Sequence, residues 1–487
     1  MPGSYVVTLA RMGGLVVLVA LAGVLPSESH AERPNLLLIL ADDMGYGDLG
    51  CMGSSVLSTP HLDELASTGV RCTRGYVASP VCSPSRAGLM TGRDPRRFGY
   101  EGNLNKRADG YPTRPELLGL PPNERTLGDH LSAAGYATAL VGKWHLGDAR
   151  SFHPNARGFD HFCGMLGGSH TYFPHRGDHS IQRNGETVDH FSSAYLTDFF
   201  TDEAIRWING QKNGKPWMLV LSYNAPHTPM EATEEDLAAC EHVNDPKRRV
   251  YAAMVRALDR GVGRVMEALE QSGERKETLV VFLSDNGGAT NNASWNGPLS
   301  GAKGTLREGG VRVPMIWSWP ERIPAGGVCT EVVSSLDILL TFLAAANHPA
   351  PELHEPLSHL DRRNQRKMVD EFGPYDGRDL LPLLTGEGEA EQSPFFWRLQ
   401  GQTAVMRGAD KLITLTHRPA QLFQVSDDPG EADDLAGSDP AKLQQLYREL
   451  GAWEASLPTA PLWDSSPHWW GDSAKIYDTW TPRDEPR

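Results

Sequence analysis

Asn35-Leu36-Leu37-Leu38-Ile39-Leu40-Ala41-Asp42-Asp43 is the stretch whose reading decides the fold. Its six apolar residues have the length of a strand, and hydrophobicity that is continuous rather than alternating marks a strand covered on both faces. Two carboxylates follow at once. Three later stretches repeat the form: Tyr136–Val141 runs into Gly142-Lys143-Trp144-His145, Trp217–Tyr223 into Asn224-Ala225-Pro226-His227, and Thr278–Leu283 into Ser284-Asp285-Asn286-Gly287-Gly288. In open α/β sheets, ligands sit beyond the carboxyl ends of parallel strands, so polar groups placed after buried strands converge on one crevice. Between the runs, Leu258–Glu270 carries its apolar residues at helical spacing, as a helix packed on a sheet does. The expected core is therefore a doubly wound, mostly parallel sheet flanked by helices.

The 487 residues, 40% hydrophobic and 22% charged, exclude a disordered or fibrous chain. A net charge of −15 excludes non-specific nucleic-acid binding and requires any anionic ligand to find local basic groups. Arg11, the apolar stretch Met12–Leu25 and the small-x-small Ser29-His30-Ala31 read as a signal peptide over residues 1–31, cleaved near Ala31, and hence as an exported protein. The six cysteines include no CxxC pair and no histidine-spaced zinc cluster.

Asp42, Asp43, Asp285 and Asn286 offer only oxygen ligands, the set for a hard divalent cation, with calcium preferred to magnesium. Cys82-Ser83-Pro84-Ser85-Arg86 is the other informative segment. With Ser83 as a cap and Pro84 in the first turn of a helix, Cys82 and Arg86 share a face. An extended Lys143-Trp144-His145 sends Lys143 and His145 to one side and Trp144 to the other.

The pentapeptide resembles the C-x-P-x-R signature of the type I sulfatases of the alkaline phosphatase superfamily. The likeness extends to Asp42-Asp43, Asp285-Asn286, Gly142-Lys143-Trp144-His145 and Gly304-Thr305-x-x-Glu308-Gly309-Gly310-x-Arg312-Val313-Pro314, and so covers most of residues 33–345. It implies an alkaline-phosphatase-like fold and conversion of Cys82 to formylglycine (3-oxoalanine) by a formylglycine-generating maturation enzyme. It also implies a calcium ion shared by Asp42, Asp43, Asp285, Asn286 and residue 82. One geminal hydroxyl of the hydrated aldehyde then attacks sulfur and the other expels sulfate. By the same resemblance Arg86 braces the hydrate and the carboxylates. Lys143 and Lys303 bind sulfate oxygens, His145 is the base at the hydrate, and His227 contacts sulfate and the leaving oxygen. Whether His227 or Lys303 protonates the leaving group stays open at this point.

The catalytic domain is expected over 32–385. A smaller α+β subdomain over 386–487 follows, with short antiparallel strands at Phe395–Arg398, Thr403–Arg407, Lys411–Leu415 and Ala420–Val425 and a helix over Pro440–Leu457. The tail with Trp463, Trp469, Trp470 and Trp480 either folds back on the core or reaches a partner. The Gly-, His- and aromatic-rich stretch 151–197 is a loop over the site or an ordinary packed loop. The resulting expectation is an exported sulfatase acting on sulfated carbohydrate, with the oligomeric state open. Two alternatives use the same residues: a phosphoester hydrolase of the same superfamily, and a non-catalytic metal- and glycan-binding protein in which Cys82 is never oxidised.

Overall fold

Every residue of the first strand, β1 (Asn35–Ala41), is buried, and its neighbours divide cleanly between two cores. Leu36, Leu38 and Leu40 enter one apolar cluster, whereas Leu37, Ile39 and Ala41 enter another. Successive side chains of a strand point to opposite faces, so a strand covered twice shows no polar alternation. Each fully buried leucine or isoleucine contributes roughly 1.5–3 kcal/mol, and β1 gains this on both faces at once.

The computed structural model describes residues 33–104, 118–174, 180–211, 214–349, 375–388, 393–458, 461–463, 467–481 and 484–486. The segment 1–31 expected to be a signal peptide and most of the polar, charge-dense stretch 354–377 lie outside them. Among the described residues no helix is long and apolar enough to cross a membrane.

After β1 come β2 (Val70–Tyr76), β3 (Ala137–Lys143), β4 (His161–Met165), β5 (Ile181–Arg183), β6 (Glu186–Thr187), β7 (Trp217–Ser222), β8 (Thr278–Ser284), β9 (Arg312–Ser318), β10 (Gly327–Cys329) and β11 (Val333–Ser334). They form an eleven-stranded sheet in the order β10-β2-β9-β8-β1-β7-β3-β4-β5-β6, with β11 on β2. The central strands β8, β1, β7, β3 and β4 are mutually parallel, and β9 is antiparallel to both β2 and β8. Helices α1 (Pro60–Ser67), α2 (Cys82–Thr91), α3 (Leu127–Ala133), α4 (Leu196–Gly210), α5 (Glu234–Ala239), α6 (Pro246–Ser272), α7 (Glu308–Val311) and α8 (Asp337–Ala345) accompany the sheet. Residues of α2, α3 and α8 share the cluster of Leu36, and residues of α1, α4 and α6 share that of Leu37. The doubly wound core is as expected, and all four apolar runs are adjacent central strands.

The smaller sheet is antiparallel in the order β12 (Phe395–Leu399), β13 (Gln402–Arg407), β14 (Asp410–Leu415), β15 (Gln421–Gln424). One face packs Trp397, Ala404, Met406 and Ile413 against Tyr76, Leu306 and Val311. The other packs Val405 and Leu412 against Leu446, Leu450 and Trp453 of the helix Pro440–Ser456. Leu306 lies three residues after Lys303, so this sheet backs the loop that carries that lysine.

Candidate active site

Because β8, β1, β7 and β3 are adjacent and parallel, their carboxyl ends share one edge of the sheet. Asp42-Asp43, Lys143, His227 and Asp285-Asn286 all follow from that edge. Asp43 has φ of 65°, so the chain turns sharply after β1 and both adjacent carboxylates face inward. The Cys82 Sγ lies 3.5 Å from Asp42 Oδ1 and 3.8 Å from Asp43 Oδ1. Cys82 is the first residue of α2 and is 1% exposed.

Three cations answer three carboxylates. Lys143 Nζ donates to Asp42 Oδ2 at 2.5 Å. Lys303 Nζ donates to Asp43 Oδ1 and Oδ2 at 2.6 and 2.7 Å and to Cys82 Sγ at 3.1 Å. Arg86 Nε donates to Asp285 Oδ2 at 2.8 Å, while its Nη1 donates to Lys143 O at 3.0 Å and Ser222 Oγ at 2.6 Å. His227 Nδ1 lies 2.6 Å from Thr228 O, and since a carbonyl only accepts, Nδ1 carries a proton. Nε2 then faces Asp43 Oδ2 at 3.5 Å.

Burial alone would raise the Asp42 carboxyl, but Lys143, His227, Arg86 and Lys303 hold it well below the usual carboxylate range. Burial also pushes the Cys82 thiol far up, outweighing Lys143 and Lys303, so the encoded thiol stays protonated and is a poor nucleophile. For His145, burial and then Lys143 and Arg86 lower the imidazole well below its ordinary 6.5. That ring is neutral and able to accept a proton.

Asn286 donates from Nδ2 to Asp43 Oδ1 at 2.8 Å and to Gly287 O at 2.9 Å, yet its Oδ1 is buried with no partner. An orphaned buried carbonyl oxygen costs about 1–3 kcal/mol, and beside it stand the carboxylates of Asp42, Asp43 and Asp285. This donor set fits a hard divalent cation. Ligand atoms of Asp42, Asp43, Cys82 and His227 lie within 4.8 Å of one another, a metal-site-like group in which His227, expected at the sulfate, joins three of the expected metal ligands.

Two local expectations differ in detail. Helix α2 opens one residue earlier than Ser83, with Val81 at its N-cap, so Ser83 sits inside the first turn. Its hydroxyl donates instead to His145 O at 2.7 Å, with Tyr100 Oη also at 2.7 Å. The backbone at His145 is not extended but left-handed, with φ of 58°. The ring still reaches the Cys82 cavity, while Trp144 turns to the opposite side and packs edge-on to Phe159 at 5.9 Å.

Several supporting residues are additions to the expected set. Asn292 Nδ2 donates to Asp43 O at 3.1 Å and Pro226 O at 3.2 Å, tying the turns that carry Asp43 and His227 together. Tyr172 Oη donates to Asn224 O at 2.6 Å and His227 O at 2.9 Å. The Gly167-Gly168 pair stands out in the sequence without revealing its role; a Cβ on Gly168 would stand 2.6 Å from His145 Cε1, so the ring lies flat on that glycine. At Gly287 a Cβ would fall 1.8 Å from Gly309 O, which is why glycines meet where the Asp285-Asn286 turn lies against α7.

A family model described as Sulfatase matches residues 34–348. The N-acetylgalactosamine-6-sulfatase of Homo sapiens is 33% identical over 466 residues, covering 88% of this chain and 87% of the relative. Arylsulfatase A of Homo sapiens is 33% identical over 499 residues, covering 88% and 89%. The crystal structure of Ps i-CgsB in complex with k-i-k-neocarrahexaose matches with a TM-score of 0.79 and 34% identity, covering 92% of this chain and 98% of that one. The same four strand ends that gather the carboxylates around Cys82 thus lie within the matched region, and the chain belongs to the sulfatase family of sulfuric ester hydrolases.

Proposed function

We propose that this sulfatase hydrolyses sulfate esters of carbohydrates, with residue 82 carried as formylglycine and a calcium ion held by Asp42, Asp43, Asp285 and Asn286 beside residue 82. The observation that carries the reading is the orphaned Asn286 Oδ1 on a side chain bonded to Asp43, which with Asp42 lies against Cys82, where Cys82, His145, His227 and Lys303 line one cleft. The substrate class is supported by relatives whose names and ligands are sulfated-sugar chemistry: an N-acetylgalactosamine-6-sulfatase and a neocarrahexaose complex.

Oxidised and hydrated, residue 82 would supply an oxygen nucleophile and a second hydroxyl, neither of which the buried thiol offers. The calcium ion would supply Lewis-acid polarisation of a sulfate oxygen. Lys143 and Lys303, whose side chains are all but shut off from solvent, place positive charge where sulfuryl oxygens gain negative charge, and buried charges of this kind act more strongly than exposed ones. His145, kept neutral, takes the proton from a hydroxyl on residue 82.

For the leaving-group proton the geometry favours His227 over Lys303. The three donors of Lys303 meet three acceptors, the two oxygens of Asp43 and the atom at position 82. His227 fixes its Nδ1 on Thr228 and presents Nε2 to the cleft. Export after cleavage near Ala31 is part of the same proposal, since it would put the enzyme where sulfated polysaccharide is met.

The test is the ratio of kcat/KM values for matched sulfate and phosphate esters of one alcohol, using protein made with a formylglycine-generating enzyme. A sulfate preference that is lost on chelation supports the reading. A phosphate preference overturns it.

A further inference from the structure

The helix Pro467–Thr479 forms one wall of the cleft over Cys82. That cleft has a volume of 680 Å³, and Asp472, Ser473, Lys475 and Ile476 line it opposite His145, His227 and Lys303. Of the two expectations for the tail, the structure shows the first: it folds back on the core.

Helical spacing separates two faces. Ser473 and Tyr477, four apart, form the docked one. Ser473 Oγ donates to Gly304 O at 2.7 Å. Tyr477 Oη accepts from Leu306 N at 2.9 Å and donates to Gln402 Oε1 at 2.8 Å, and Gln402 Nε2 donates back to Gly304 O at 2.9 Å. The helix is therefore fastened to the segment immediately after Lys303, and the wall is fixed relative to the reacting centre. Asp472, Lys475 and Ile476, spaced three and four apart, form the face turned to the cleft.

Charge then distinguishes Lys475. Among the described residues of the lining, Lys303 and Lys475 are the two permanent cations. Lys303 is committed to Asp43. Lys475 is 79% exposed, and its contact is Asp472 at 3.7 Å, itself 70% exposed. Exposed pairs of this kind hold little free energy, so the ammonium can turn to an incoming anion. In a chain of net charge −15, a cation at the mouth of this cleft is the local attraction that an anionic substrate requires.

We infer that the helix 467–479 forms a substrate subsite beyond the reacting sulfate, in which Lys475 binds a second anionic group, a sulfate ester or carboxylate on the neighbouring sugar, while Ile476 offers apolar surface to the ring. The inference rests on the carbohydrate reading above and narrows it to substrates of at least two residues carrying more than one negative charge.

The test uses the full chain with Cys82→Ala, so that binding is read without turnover. Calorimetry compares a galactosamine-containing disaccharide bearing one sulfate with the same disaccharide bearing two. The disulfated sugar binds more tightly, Lys475→Ala lowers the ratio of the two affinities about two- to fivefold, and Lys475→Arg preserves it. A ratio that Lys475→Ala leaves unchanged overturns the subsite while the carbohydrate reading stands. Failure of either sugar to bind, in a protein whose Cys82 form turns over an aryl sulfate, removes the carbohydrate reading and the subsite with it.

Discussion

Lys303 and Cys82 stand 221 residues apart in sequence, yet the lysine Nζ lies 3.1 Å from the cysteine Sγ while holding both oxygens of Asp43. The contact joins the loop between β8 and β9 to the start of α2. Lys303 therefore links the nucleophile position to a carboxylate of the proposed metal site, and its charge lies where a sulfuryl oxygen would develop its own.

Removing that charge should cost transition-state binding, and, since it leaves the buried Asp43 without its 2.6 Å partner, it also lowers Tm while the chain still folds. Lys303→Ala is expected to lower kcat on an aryl sulfate by about 10²–10³-fold, with a folded far-UV signature. Steady-state kinetics and circular dichroism check it. Retained kcat would exclude Lys303 from sulfate stabilisation.

His227 as leaving-group acid makes a prediction about leaving groups. His227→Ala should lower kcat/KM for an alkyl or sugar sulfate by about 10²-fold or more, but much less for 4-nitrophenyl sulfate, whose phenolate departs without a proton. Equal losses on both substrates would give the residue a binding role instead.

Calcium should stabilise the folded protein through the oxygens gathered at β1 and β8. At a concentration a hundred times Kd, the ion adds about 2.7 kcal/mol by mass action, which raises Tm. Asn286→Ala should weaken calcium affinity at least about tenfold and abolish most of that rise. Asp285→Ala is a poorer probe, because it also strips Arg86 of its 2.8 Å carboxylate and leaves that buried charge with Asp42 at 3.9 Å alone, and breaking a buried pair costs up to about 3–5 kcal/mol. Full activity after exhaustive chelation would remove the metal from the mechanism.

The ring of His145 rests on Gly168, where an added Cβ would stand 2.6 Å from Cε1. Gly168→Ala should displace the ring and lower kcat about ten- to hundredfold, with Tm little changed. Burial disfavours the imidazolium, so NMR titration of His145 should give a midpoint well below 6.5. A midpoint at or above 6.5 would contradict a base that stays neutral under working conditions.

Which of these features are legible in the sequence depends on the range of the interaction. Leu36–Ala41 announces a doubly covered strand because both of its faces are apolar, and the residues following four such strands have to meet once the strands are parallel neighbours. Arg86 is readable from its four-residue spacing to Cys82. Backbone turns are harder: His145 reaches the cleft through a left-handed residue, which no hydrophobic pattern encodes. Asn292 and Tyr172 act on carbonyls of residues distant in sequence, and a hydrogen bond to a remote carbonyl leaves no periodic trace. The tail helix is hidden for the same reason, since its docking depends on Ser473 and Tyr477 meeting Gly304, Leu306 and Gln402.

The chemical state of residue 82 decides the mechanism, and mass spectrometry of the peptide spanning it tests that state most directly. In protein produced with a formylglycine-generating enzyme, the peptide should carry an aldehyde or its hydrate in place of the thiol, and the same preparation should release sulfate from an ester. An intact thiol in a preparation made with an active maturation enzyme would contradict this mechanism, and would leave a metal- and glycan-binding protein built on a sulfatase fold.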